Sequence, residues 1–220
     1  TPKPLLKVAG KELIVWHLER LALAGVNKVV VNTNYLAQQL HQRLGSGEEW
    51  GLDIVFSNET DFIETGGALL WAQDQLGHAP FYVLSADIWL ASLPAFPKVL
   101  AQPEEELAFI YLVANPAHHP TGDFYFNPAT QAISNQAGAG FSSYTFSGLA
   151  RLHPKIYSPE FLQAALGYLP TQGSTFRLAP LLRAAIKAGK VQAKILPCTW
   201  EDVGTPQRLN ELNAQLEKLG

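Results

Sequence analysis

The chain has 220 residues, 47% of them hydrophobic and 16% charged, with a formal net charge of −3. That length and apolar content suit a folded core and exclude a disordered chain, while the slight negative charge leaves no basic footprint for nucleic acid or an anionic membrane. The single cysteine, Cys198, excludes an internal disulfide framework and fits a reducing compartment.

No apolar run approaches the roughly 18 residues of a membrane span, and no secretory signal is read ahead of the first strand, so the expected location is cytoplasmic. The opening "TPKPLLKVAG" clamps Lys3 between Pro2 and Pro4, which predicts a stiff, extended backbone at the lysine. From Glu12 to Ala24 the apolar positions Leu13, Ile14, Leu18 and Leu21 predict a helix, closed by Gly25. Lys28 to Asn32 is a β-branched strand. Leu36, Leu40 and Leu44 mark a second helix ending at Gly45, and Leu52 to Ser57 a second strand. Thr65 is expected to cap a helix running through Leu76. The apolar run from Phe81 to Asp87 predicts a strand in the middle of a sheet. This alternation predicts an α/β fold with a doubly wound, mostly parallel, Rossmann-like sheet.

After Asp87 the rhythm changes. "LAFIYLVA", "GDFYFN" and "YTFSGLARL" are strands with short polar connections, expected to form a small mixed or antiparallel extension. A helix ending at Gly189, the strand "VQAKIL" and a last helix capped by Thr205 with Pro206 at its first position complete the chain. With no repeat and no low-complexity linker, a single domain over residues 1–220 is expected.

Two carboxylates stand out. Asp87 lies where open α/β sheets bind ligands, at the end of an apolar strand, although a turn or helix-cap role is the plainer alternative. Asp202, in "WEDVGTPQRL", again follows a strand and precedes a helix. Together they suit one Mg²⁺, a hard ion that takes one or two carboxylates and completes its shell with phosphate oxygens and water. Gly66 and Gly67 in "ETGGALL" either let a ligand approach a helix start with free N–H groups or are ordinary helix-start glycines. Neither the Walker loop nor the dinucleotide fingerprint occurs. His118 and His119 are adjacent, which suits no single metal ion. Cys198 reads as a small packing residue, and no G-x-S-x-G supports a serine hydrolase.

"TPKPLLKVAGKELIVWHLERLALAGV", "ETGGAL", "SADIW", "FSGLARLHP" and "WEDVGTPQRL" occur in an order that resembles the sugar-1-phosphate nucleotidyltransferase family across nearly the whole chain. "NPAHHPTGDF" and "STFRLAPLLRAAIKAGKV" are most similar to its branch that joins UTP to N-acetylmuramate 1-phosphate in peptidoglycan recycling, with guanylyltransferases for mannose 1-phosphate as the nearest alternative. The resemblance implies attack by a sugar 1-phosphate on the α-phosphorus of a nucleoside triphosphate, releasing pyrophosphate. It also implies roles. Lys3 would neutralise triphosphate charge, and Asp87 and Asp202 would bind Mg²⁺, with Asp87 also at the nucleotide. Thr65, Gly66 and Gly67 would line the nucleoside pocket. Gly122, Asp123, Ser147, Gly148 and Arg177 would face the sugar phosphate. A non-catalytic relative that only binds sugar nucleotides is the other reading.

In the family a loop of the form G-x-G-x-R-x-x-P-L-T follows a first strand and precedes the Pro-Lys-Pro. Here the sequence starts at Thr1, so the expectation is a piece of a longer protein whose first strand and loop lie upstream. A natural absence would open the sheet and expose its apolar faces, which disfavours that alternative.

Overall fold

The computed structural model describes residues 2–95 and 106–218; Thr1, and Leu219 of the expected last helix, lie outside that range. The elements run in chain order as β1 (Lys7–Val8), β2 (Lys11–Glu12), α1 (Leu13–Leu23), β3 (Lys28–Thr33), α2 (Ala37–Leu44) and β4 (Asp53–Asn58). Next come α3 (Glu64–Trp71), α4 (Gln73–Leu76), β5 (Phe81–Leu84), β6 (Ile88–Leu90), β7 (Ala108–Val113), β8 (Phe124–Asn127) and β9 (Ala132–Ser134). The series closes with β10 (Ser142–Leu152), α5 (Pro159–Leu166), α6 (Leu178–Lys187), β11 (Val191–Ile195), β12 (Trp200–Asp202) and α7 (Pro206–Glu217). Among the described residues no helix is long and apolar enough to cross a membrane.

The chain divides into two compact units, one of Thr1–Asn58, Ser85–Lys98 and Pro197–Gly220, the other of Glu59–Leu84 and Val99–Leu196. In the first unit, α1 buries the face carrying Leu13, Ile14, Val15, His17 and Leu18, and Gly25 ends it at φ +81°. Ile14, Val15 and Leu18 pack with Leu40 and Leu44 of α2 and with Leu52 and Ile54. The β3–α2–β4 unit is parallel, in register from Lys28↔Asp53 to Thr33↔Asn58. A second small core joins Val8, Leu13, Trp89, Val203 and Leu212. It ties the β1–β2 hairpin to α7, where Asn213 accepts from the Ala9 N–H and donates to the Lys7 carbonyl. Thr205 caps α7 by accepting from the Arg208 N–H, and Pro206 occupies the first turn, as expected.

Lys3 departs from expectation. It sits in a 3₁₀ turn over Lys3–Leu5, with the Leu5 N–H on the Pro2 carbonyl and the Leu6 N–H on that of Lys3. Two short-range hydrogen bonds outweigh the extended preference that Pro4 imposes on its predecessor.

The second unit holds a six-stranded mixed sheet in the order β11-β7-β10-β8-β9, with β5 also on β10. Here β7 and β11 pair in parallel, and β10 runs antiparallel to β5, β7 and β8. The antiparallel part is therefore the larger share of this sheet rather than a small extension. The links between β8, β9 and β10 are too short for parallel crossovers, which need a dozen or more residues. Ile110, Leu112, Phe124, Phe126, Ala150, Leu152, Leu181 and Leu182 form its core. Two other boundaries shift. The expected strand to Asp87 ends at Leu84, and the expected Thr65-capped helix starts one residue earlier and breaks at Ala72 into α3 and α4. Thr65 makes no cap because it already lies inside the first turn.

Candidate active site

The two carboxylates expected from the sequence come from one ribbon in the first unit. Strands β6 and β12 are antiparallel, with Trp200↔Leu90, Glu201↔Trp89 and Asp202↔Ile88 opposite each other. The Val203 N–H donates to the Asp87 carbonyl at 3.0 Å and the Ala91 N–H to that of Thr199 at 2.9 Å. In an antiparallel ladder such pairs alternate, so Asp87 with Val203 is a bonded step and Ile88 with Asp202 the unbonded step beside it. Asp87 itself lies in the turn that precedes β6, not on a strand. Asp202 ends β12.

The Asp202 carboxylate is already held. Its Oδ1 accepts from the Gly204 N–H at 2.6 Å, and its Oδ2 lies 3.4 Å from Arg208 Nη1 in the first turns of α7. A Cβ at position 204 would come within 2.8 Å of both Arg208 Nη2 and Asp202 Oδ1, so a side chain there would push on this pair. Sequence reasoning did not single out Arg208; its place one turn beyond the Thr205 cap was the available signal. Nor did it single out His17, which is 3% exposed and places Nε2 2.8 Å from the Ile88 carbonyl oxygen. Because a carbonyl only accepts, Nε2 carries the proton. Burial holds this imidazole's pKa down at about 4, so the ring is neutral. Lys3 is exposed, at the end of the unit's N-terminal segment.

In the second unit the other expected residues fall into two groups. The first surrounds the start of α3. The Gly67 N–H donates to the Phe176 carbonyl at 3.0 Å, and the Phe176 N–H to that of Ile63. A Cβ on Gly66 would meet the Phe176 ring at 2.6 Å, and one on Gly67 would collide with the Ser174 carbonyl oxygen. The two glycines thus admit residues 174–177 against the helix start. Gly67's N–H is spent on that contact and is not free for a ligand, contrary to one sequence reading. Arg177 is paired at 3.5 Å with Glu64, whose backbone is left-handed at φ +58°, and the arginine side chain remains 78% exposed. Thr65 is exposed.

The second group joins the loop before β8 to the middle of β10. Asp123 donates its N–H to the Tyr144 carbonyl at 2.8 Å and accepts from the Phe146 N–H at 2.8 Å. Its other oxygen lies 3.2 Å from His119 Nε2. Asn115 closes the loop through Ser143, Thr145 and the Pro120 carbonyl. The β10 register shifts between Phe146 and Ala150, which puts Ser147 and Gly148 in a bulge, the device that commonly re-aims residues beside active sites. Gly148 has φ +82°, and Ser147 is fully buried with Oγ accepting from the Leu149 N–H. Gly122 combines φ +64° with neighbours that leave no room, since a Cβ would lie 2.5 Å from Asn115 Oδ1. Gly122→Ala is expected to lower stability by about 1–3 kcal/mol, measured by urea unfolding. An unchanged midpoint would mean that the loop has another accessible conformation.

Among the described residues, no group of three or more His, Cys, Asp and Glu side chains could hold a metal ion. As carboxylates, Asp87 and Asp202 are the donor type of an ion that takes its remaining ligands from phosphates and water, but the ladder itself, whose successive side chains alternate faces, is not what would turn both toward one ion.

The nucleotidyl transferase family's sequence model matches residues 1–124. The chain is 37% identical over 217 residues to the N-acetylmuramate alpha-1-phosphate uridylyltransferase of Neisseria meningitidis serogroup B, covering 97% of this chain and 89% of that protein. It is 29% identical over 221 residues to the mannose-1-phosphate guanyltransferase of Gibberella zeae, covering 94% of this chain but 56% of that one. A solved UDP-glucose pyrophosphorylase complexed with UDP-glucose superposes with a TM-score of 0.72 at 17% identity, over 100% of this chain and 91% of that one, which shows the shared fold. With 124 of 220 residues inside the family model and a relative matched over nearly its whole length, the chain belongs to the nucleotidyl transferase family, an enzyme family whose relatives here are sugar-phosphate nucleotidyltransferases.

Proposed function

We propose that this protein transfers the uridylyl group of UTP to N-acetylmuramate α-1-phosphate, giving the UDP-sugar and pyrophosphate, in the cytoplasmic recycling of cell-wall sugars. The observation that carries the reading is the 37% identity, over 97% of the chain, to a uridylyltransferase of that specificity. In the reaction an oxygen of the sugar phosphate attacks the α-phosphorus as the bond to the pyrophosphate oxygen breaks. No covalent enzyme intermediate is needed, so the protein's contribution is positioning and charge neutralisation.

Asp87 and Asp202 are the residues that would hold a divalent cation, Mg²⁺ in this reading. When bound, it supplies neutralisation of phosphate charge. The Gly204 N–H and Arg208 keep the Asp202 carboxylate in a fixed orientation. Lys3 adds a positive charge toward the triphosphate. Thr65 stands on the nucleoside side, and Gly66 and Gly67 shape that side indirectly, by admitting residues 174–177 against the start of α3. On the sugar side, Gly122, Asp123, Ser147 and Gly148 form the bulge-and-loop cluster, and Arg177 offers a cation to a sugar phosphate or a lactyl carboxylate. The family match crosses from one compact unit into the other, which supports a single functional domain over the whole chain.

The test is pyrophosphate release by the full-length protein with Mg²⁺, comparing UTP and N-acetylmuramate 1-phosphate against GTP and mannose 1-phosphate. Release is expected with the first pair. Turnover of the second pair alone would reassign both substrates, and binding without release would make the protein a sensor of sugar nucleotides.

A further inference from the structure

In the ladder of β6 and β12, alternate residues point their backbone groups away from the partner strand. Asp87 and Val203 form a bonded step, so the next residue, Ile88, directs its carbonyl out of the ribbon. Ile88 is 4% exposed, and a buried carbonyl without a donor is costly. His17 meets that need from α1, donating Nε2–H at 2.8 Å. The donor is stiffly mounted, because Leu13, Ile14, Val15 and Leu18 anchor the turns of α1 on either side of it.

We infer that His17 is a positioning residue for the carboxylate pair, holding the one backbone unit that adjoins Asp87 in sequence and lies directly opposite Asp202 in the ribbon. The inference rests on the reading of Asp87 and Asp202 as the cation-binding residues. A second observation separates it from ordinary packing. The ring is nearly fully buried, yet its Nδ1 has no hydrogen-bond partner among the described residues. An imidazole with one orphaned nitrogen is a poor core residue, and a leucine on the same helix face would remove that orphan while leaving the Ile88 carbonyl unpaired. The penalty is intelligible if the Nε2–H bond serves the placement of the two carboxylates rather than stability alone.

The experiment uses the full-length wild type with His17→Leu, His17→Gln and Asp87→Asn. Mn²⁺ binding is read by electron paramagnetic resonance, thermal unfolding gives stability, and Mg²⁺-supported turnover gives kcat and the KM for UTP. His17→Leu exchanges one unpaired buried polar atom, Nδ1, for another, the Ile88 carbonyl oxygen, so its unfolding midpoint is expected near that of the wild type. It should weaken Mn²⁺ binding about tenfold and lower kcat by a similar factor, with the KM for UTP unchanged. His17→Gln, whose side-chain amide can reach the Ile88 carbonyl, is expected to recover most of both losses. A His17→Leu protein with wild-type Mn²⁺ affinity, beside an Asp87→Asn protein that has lost it, overturns the role of His17 alone. A folded His17→Gln that recovers nothing does the same. If Asp87→Asn binds Mn²⁺ like wild type, the carboxylate reading itself falls, and the inference with it. Should His17→Leu not fold, His17→Asn takes its place, since its shorter amide stops short of the carbonyl.

Discussion

Replacing Asp87 by asparagine is expected to lower kcat by about 100-fold or more while leaving the fold intact, and Asp202→Asn is expected to do the same. In the proposed reaction two highly charged phosphate groups come together, so on the proposed assignment the loss of one carboxylate weakens the hold on the compensating cation and strikes the transition state directly. The fold should tolerate both changes. Asp87 lies in a partly exposed turn and contributes its backbone carbonyl, not its side chain, to the ladder with Val203. Asp202→Asn keeps an oxygen for the Gly204 N–H but gives up the ion pair with Arg208, so a modest loss of stability should accompany its loss of activity. Because the two groups act as one unit, the double variant should be scarcely worse than the poorer single variant. Pyrophosphate release and thermal unfolding together check this, and turnover that survives both substitutions would refute the carboxylate assignment.

The largest loss of stability is expected in the second unit, from Glu106→Ala. Arg151 Nη2 and Glu106 Oε1 are 2.8 Å apart, with the two side chains 10% and 4% exposed. The guanidinium also lies over the Phe109 ring and beside the phenols of Tyr82 and Tyr111, which burial pushes above their usual pKa. Truncating the glutamate leaves a buried positive charge uncompensated, and breaking such a pair costs about 3–5 kcal/mol. Replacing both partners with apolar residues of similar size should recover most of that loss, because no charge is then left stranded. Urea unfolding of the single and double variants provides the measurement. An Ala variant as stable as wild type would show that another group neutralises Arg151.

Much of the local architecture was legible in the residues. The spacing of Leu13, Ile14 and Leu18 and the stop at Gly25 give α1, and Thr205 followed by Pro206 marks the start of α7. Helices are readable in this way because their hydrogen bonds close within four residues and their burial pattern repeats along the same stretch. The positions of Asp87 and Asp202 beside strand ends were legible for a similar reason, since apolar runs stop where turn residues begin.

Only the tertiary structure put these two aspartates on neighbouring steps of one ribbon, through pairing between segments far apart in sequence. The same holds for the glycines. Gly66 and Gly67 read as an opening for a ligand, but the space they leave is filled by residues 174–177. His17 reads as one more position on a buried helix face, and its bond to Ile88 is invisible without the fold. By itself, the sequence determined the long periodic elements, such as α1, α2, α7, β3, β4 and β7, because these depend on short-range hydrogen bonding and periodicity, whereas short strands such as β6 form only against a partner. The fold alone decided strand partners, the antiparallel share of the sheet and the partners of each buried polar group, because these depend on which distant surfaces must be covered together.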